Sequence, residues 1–408
     1  MQVGRRRRPI GLLLLSLVVA CSGKPESGGP APAQLEPELA RRVLSTYTRV
    51  AYAAYDESVE GARRLLTQID ALLAAPSPGT LAAARDAWLM ARSSYAQTEV
   101  YRFYDGPIDG VELLVNTWPI DEGYVESEGQ DGALGIVQDV ARYPELSAAL
   151  LTQLNGRDGE TAISTGYHVI EFLLWGRDLN ANGPGERSHR DFVLEQAQDE
   201  PRRAGESLAA RRGAYLRIAA TLLLEQLESV RAAFSEQPGN YRAQFLSAPP
   251  AAGVYRALKG MGKLSGPELS GERLTVPYET KSQENEHSCF SDSTGRDLVG
   301  NARGVENVCL GRYQRGDGRR VQGEGICALV KQQQPALGKA LEAAIRESVR
   351  RVAAIPQPFD QAILGPDAAP GRTAVRAAIE ALQKQAELIE QARAALGLTE
   401  PAALAVAR

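Results

Sequence analysis

The sequence predicts an all-α protein built as two helical bundles. Three observations carry this expectation. Apolar residues recur at helical spacing through long runs, as in Val43, Leu44, Tyr47, Val50, Tyr55, Val59, Leu65, Leu66, Ile69 and Leu72. Clusters of Pro and Gly separate those runs. No run shows the strict alternation of a half-buried strand.

Each element follows in order. Residues 39–73 read as one long helix, closed by Pro76, Pro78 and Gly79. A second helix is expected from Thr80 to about Tyr104, broken by Asp105-Gly106-Pro107. Residues 106–132 read as irregular, followed by short helices near 133–141 and 144–153. The apolar segment Thr161–Trp175 reads as a buried helix, residues 178–190 as a polar loop, and Glu206–Phe234 as a long amphipathic helix. Residues 237–250 mark a junction. Helical patterns resume over Gly253–Leu264, Asp292–Leu310, Gly325–Gln333, Pro335–Ala354 and Arg372–Leu396, with a Gly/Arg-rich loop from Arg312 to Gly325. The expected divisions are a leader (1–20), a tether (21–36), an N-terminal bundle (37–236) and a C-terminal bundle (240–400). Both halves place a long helix pair around an irregular, acid-bearing middle, the pattern of an ancient duplication with a site at the domain interface.

The first residues predict where the chain resides. Arg5 to Arg8 form a basic cluster, Ile10 to Ala20 a short apolar stretch, and Leu17-Val18-Val19-Ala20-Cys21 a bacterial lipoprotein cleavage pattern. Cys21 is the expected lipidated residue, the membrane the expected partner, and the outer membrane or periplasmic face of the envelope the expected location. Losing residues 1–20 removes four arginines and no acids, moving the net charge from −4 to −8. An acidic body argues against a nucleic-acid partner. Beyond Cys21 there are three cysteines. The loop between Cys309 and Cys327 makes them a reasonable pair in an oxidising compartment, while an odd count leaves at least one thiol over.

The chemistry concentrates in three stretches. In Gly166-Tyr-His-Val-Ile-Glu-Phe-Leu-Leu-Trp175, His168 and Glu171 stand three apart. On a helix their Cβ atoms would lie about 5–6 Å apart on one face. Burying such a pair is expensive without a partner, which makes a metal ion one reading and a hydrogen-bonded core pair the other. Neither H-E-x-x-H nor H-x-x-E-H is complete, because position 172 is Phe. With only His168, His189 and His287 in the chain, carboxylates would have to complete a centre, which suits iron at least as well as zinc. The second stretch joins Glu99 and Arg102 to Asp109. Glu99 is a further ligand candidate, with Arg102 orienting it, and Asp121 and Glu122 add acids nearby. The third is Glu286-His287-Ser-Cys-Phe-Ser291-Asp292, where Ser291 or Asp292 could cap the following helix. A Ser-His-Asp triad is not supported by proximity in sequence alone.

Together these blocks resemble the imelysin family of exported bacterial proteins. The carriers are Gly166-x-His168-x-x-Glu171, Thr98-Glu99-x-x-Arg102-Phe103 with Gly106-Pro107-Ile108-Asp109, Val115-Asn116-x-Trp118-Pro119-x-Asp121-Glu122, His287-Ser-Cys-Phe-Ser291-Asp292 and Arg212-x-x-Tyr215-Leu216. The resemblance implies two helical bundles and a site near their interface. It also implies an iron-related or metal-binding envelope role and a family classed among peptidases. Where family members often carry a His after the Ser-Asp-x-Thr run, this chain has Gly295. The expected function is divalent-metal binding by His168, Glu171 and Glu99, with iron favoured over zinc, in iron acquisition alongside an uptake partner protein. A metallopeptidase and a non-catalytic surface adaptor with a structural His–Glu pair are the alternatives. Arg102, Asp109, His287, Ser291 and Asp292 are the interface candidates.

Overall fold

The computed structural model describes residues 35–127, 134–180, 182–194 and 207–401. The leader, Cys21 and most of the tether lie outside the described residues. Those described fall within one compact unit, Ala33–Arg408.

Among the described residues, fifteen α-helices follow one another. They are α1 Pro37–Ala74, α2 Pro78–Ala96, α3 Glu112–Val115, α4 Glu122–Val125, α5 Ala148–Leu154, α6 Tyr167–Trp175, α7 Leu208–Ala233 and α8 Tyr241–Ser247. Then come α9 Pro250–Lys263, α10 Val276–Thr280, α11 Thr294–Leu310, α12 Ile326–Gln333, α13 Pro335–Ala353, α14 Phe359–Ile363 and α15 Pro370–Ala395. The all-α expectation holds, with one small exception. Arg312–Gln314 (β1) and Arg320–Gln322 (β2) pair antiparallel in the segment read as a loop. Three-residue strands are too short to show alternation, and the Arg315-Gly-Asp-Gly318 turn, with Gly318 at φ 87°, closes them.

Helix α1 is the axis of the first half, packed against α2, α7 and α9; α13 and α15 pair in the second. The larger apolar core crosses the sequence midpoint, placing Val305, Ile326 and Leu341 in the same cluster as Tyr47, Val50 and Trp88. A smaller core gathers Leu269, Leu298, Val352, Phe359 and Leu382. The Cys309–Cys327 disulfide forms and ties the end of α11 to α12 behind the ribbon. Cys289 remains a free, buried thiol.

Several boundaries depart from the sequence pattern, each for a local reason. Helix α2 stops at Ala96. The Thr98 hydroxyl donates to the Tyr95 carbonyl, and Glu99–Tyr101 forms a tighter 3₁₀ turn. Helix α6 begins only at Tyr167, because Gly166 takes φ 93°, outside helical space. Residues 134–143 form turns rather than a helix. Helix α9 runs on as a π-helix, Leu264–Thr275, with Pro267 inside it. A wide π turn tolerates a residue lacking a backbone N–H, and such turns recur at functional sites.

Candidate functional site

Helix α6 is buried at every position, His168 and Glu171 included. Nδ1 of His168 lies 3.0 Å from Oε2 of Glu171. The other carboxyl oxygen accepts from the Ser291 backbone N–H at 3.0 Å and from the Ser291 hydroxyl at 2.6 Å. The pair thus clasps the 288–293 turn onto α6. Ser291 is committed to Glu171 and Ser293, so it neither caps α11 nor meets an imidazole. The position preceding α11 is Ser293, which makes no side-chain cap bond. Asp292, at φ 52°, does not cap either.

The imidazoles of His168 and His287 meet edge to face, centroids 4.7 Å apart, with Trp118 5.0 Å from His168. Nδ1 of His287 lies 3.1 Å from Oδ2 of Asp297, which also accepts from the Ser288 hydroxyl at 2.7 Å and Nε of Arg92 at 2.9 Å. Arg92, from α2, is 1% exposed. Its Nη2 stands 3.4 Å from Nε2 of His287 and 3.8 Å from Glu99.

Glu99 lies in a second cluster joined to the first through Arg92. Arg273, carried in by the π-helix, donates to both its oxygens at 3.1 and 2.6 Å. Arg102 adds a bond at 2.9 Å, Asn116 one at 3.2 Å and Asn301 one at 3.1 Å. Burial alone would raise its pKa, but Arg273, then Arg102 and Arg92, hold the Glu99 carboxyl well below the usual carboxylate range. Glu99 is therefore an anion surrounded by guanidinium groups, with its lone pairs in use. Among the described residues, no group of three or more His, Cys, Asp or Glu is arranged to hold a metal ion.

The remaining candidates separate. Arg102 links Glu99 to Glu112 and Glu268 and lines a cavity. Asp109 accepts from the backbone N–H groups of Phe103, Tyr104 and Gly106, at 2.8, 3.2 and 2.8 Å. It stabilises a turn in which Phe103 and Asp105 both take positive φ, and its oxygens are used there. Asp292 stands with Asp178, and burial pushes its pKa up to about 7. Asp121 accepts from the Tyr124 N–H at the start of α4. The side-chain amide of Gln357 fills the space above Gly295. The sequence reading did not single out Arg92, Arg273, Asp297 or Asn301.

The polar centre opens into a cavity of about 370 Å³, whose lining includes Arg102, Asn116, Trp118, Arg273 and His287. Glu112 and Glu268, both paired with Arg102, line it too, together with the exposed Glu272 and Glu284.

Electrostatics settle the charge of the centre. Burial pushes the Glu171 carboxyl up to about 8. Burial, then Arg92 and His287, hold His168 well below the usual imidazole range. Burial, Arg273 and Arg92 bring His287 down to about 4. Near neutrality the His168–Glu171 pair is thus uncharged. A pH effect follows. Above 6.5, the ordinary imidazole value, both histidines are neutral folded and unfolded alike. Glu171 ordinarily titrates at 4.5, so its stabilisation is complete below that value and is lost as pH rises to about 8. Glu286, raised by burial to about 9, acts the same way. Stability should fall from pH 6.5 to 9 in urea titrations. Glu171→Gln should flatten the stretch up to pH 8 by about 1.4 kcal/mol per pH unit. An unchanged slope in that variant would refute the assignment.

The comparisons with known proteins fit this geometry. The Imelysin family model matches residues 51–389, a span that contains every block meeting at the site. This chain belongs to the imelysin family. It is 26% identical to iron-regulated protein A of Synechococcus elongatus over 353 residues, 84% of this chain and 82% of the relative. Two solved structures share the imelysin fold. One, a proposed iron-regulated protein A precursor from Parabacteroides distasonis, superposes with TM-score 0.66 at 18% identity, covering 89% of this chain and 96% of the other. An imelysin-like protein from Psychrobacter arcticum gives TM-score 0.58 at 14% identity, covering 91% and 99%.

Proposed function

We propose that this chain is an envelope-anchored imelysin that serves iron acquisition by recognising iron in complexed form. The observation that carries the reading is the mixed lining of the 370 Å³ cavity, where Arg102, Arg273, Asn116 and His287 stand beside Glu112, Glu268, Glu272 and Glu284. A bare metal ion needs converging lone pairs, and the inner carboxylates of this wall, Glu112 and Glu268, are already paired with Arg102 and Arg273. Nε2 of His168 is buried without a hydrogen-bond partner. Nδ1 is taken by Glu171, which leaves Nε2 as the one ring atom of His168 open to a ligand, too few for a coordination sphere by itself. The buried Arg92 guanidinium further opposes a cation at His287. As they stand, the side chains do not fit an unchelated divalent ion, iron or zinc. A hydrolytic centre is disfavoured for the same reason. Both Glu171 oxygens are engaged, so none is free to act as a base. The iron link draws support from the name of the Synechococcus relative, and the anchor from the Cys21 pattern.

Equilibrium dialysis against Fe(II) and against ferric citrate tests the reading. The expected result is retention of the chelate, lost in Asn116→Ala and His287→Ala with the fold intact by circular dichroism, and no stoichiometric Fe(II). Stoichiometric Fe(II) that disappears in His168→Ala would overturn it in favour of direct coordination. Failure to retain either species would remove the iron role. Separately, Cys21→Ser should move the protein from the membrane to the soluble fraction.

A further inference from the structure

We propose that the β1–β2 ribbon is a second ligand site, one that takes a multiply charged oxyanion compound of the polyphosphate or polycarboxylate class. The ribbon divides two cavities, of about 900 and 740 Å³, that share Arg315, Arg320, Val321 and Gln322. The first also presents Arg49, Arg242 and Arg319, with Asp56 and Glu236 its only lining carboxylates. The second adds Arg303 and Arg312 against Glu57 and Glu306. None of these residues lines the cavity beside His287, so the inference stands independently of the proposed function.

The acids in this region are already engaged. Asp56 bridges Arg315 at 2.8 Å and Arg231 at 3.3 Å. Asp317 holds Arg319 at 2.6 Å. Glu236 contacts Arg242. Glu57 accepts from the Tyr313 hydroxyl at 2.5 Å and the Gly316 N–H at 2.8 Å, and Glu306 pairs with Arg312 at 3.4 Å. Arg49, Arg303 and Arg320 have no carboxylate partner among the described residues. Arg49 makes only long bonds, 3.3 Å to the Gln322 carbonyl and 3.5 Å to Thr46. In a chain with net charge −4, a concave surface with uncompensated guanidinium groups is a local reversal of sign that concentrates anions. Guanidinium forks pair bidentately with carboxylate and phosphate.

The frame is set before any ligand arrives. The Cys309–Cys327 disulfide brackets the ribbon, and the bonds to Glu57 fix its first strand and turn on α1. Tyr52, 38% exposed, and Val321 give the larger cavity an apolar wall beside its cations. Two basic cavities either side of one rigid ribbon suit a ligand with anionic groups at two points. A soluble polyanion and a phospholipid headgroup share that chemistry.

Two arms separate the sources, both using the full chain. Calorimetry with pyrophosphate and citrate tests the soluble form. Flotation with phosphatidylglycerol-containing against pure phosphatidylcholine vesicles tests the headgroup, the neutral vesicles setting the baseline for any lipid anchor. The expected result is binding in at least one arm, weakened at least about tenfold by Arg49→Ala with Arg320→Ala and strongly reduced at about 0.3 M salt. These side chains are exposed, so the melting temperature should not move. Binding unchanged in the double variant, or absent from both arms, overturns the inference.

Discussion

Glu99→Gln is expected to destabilise the protein by about 3–5 kcal/mol, the usual consequence of removing one partner from a buried ion cluster. Glu99 is fully buried and is the common anion of Arg273, Arg102 and Arg92. Glutamine preserves volume and one acceptor oxygen. It removes the charge that keeps Arg92 and Arg273, both at least 95% buried, from standing uncompensated. It also replaces an acceptor of the Arg273 fork with an NH₂ that can only donate. Asp297 and Glu268 soften the loss, since they hold Arg92 and Arg273 respectively. Urea unfolding of Glu99→Gln beside Glu38→Gln measures the effect. Glu38 pairs with Arg41 at the surface, its side chain 72% exposed, and should matter little. A loss below about 1 kcal/mol at Glu99 would mean that the cluster is not a closed electrostatic unit. A strong loss would explain why a carboxylate that reads as a metal ligand in sequence is a structural anion in the fold.

That substitution of roles shows how far sequence could reach. Helical periodicity reveals which segments become helices, because apolar spacing is local. The His168–Glu171 contact is legible for the same reason, since residues three apart meet within one helical turn. Partners distant in sequence leave no such mark. Arg92 meets Asp297 across 205 residues and Arg273 meets Glu99 across 174. Nothing in the run around Arg92 or Arg273 distinguishes a buried arginine from a solvated one. The π-helix was hidden too, because proline and glycine ordinarily interrupt a helix, whereas Pro267 and Gly271 sit within a widened one. Asp109 misled for the opposite reason. An acid in an irregular segment looks free until the backbone N–H groups that it serves are located.

The glycine of G-x-H-x-x-E supplies the second large effect, and its origin lies outside the helix that it precedes. Gly166 takes φ 93° and ψ −177°, a region essentially confined to glycine. A Cβ there would sit 2.7 Å from the Val115 carbonyl oxygen and 3.1 Å from that of Leu114, atoms of the backbone that cannot rotate away. Gly166→Ala should therefore cost about 1–3 kcal/mol in backbone strain and a further ~1–3 kcal/mol in overpacking. The relief available is to push α6 away from the 114–116 segment. That segment carries Asn116, which accepts from Arg92 and donates to Glu99, while α6 carries His168. The motif glycine thus sets the distance between the two halves of the polar centre. Loss of melting temperature in Gly166→Ala should accompany weakened ligand retention at the cavity. Gly156→Ala, also at positive φ (73°) but with nothing within 4 Å of its Cβ, should show only the strain cost and retain ligand. Equal effects of the two substitutions on ligand retention would break the proposed link between the motif glycine and the site.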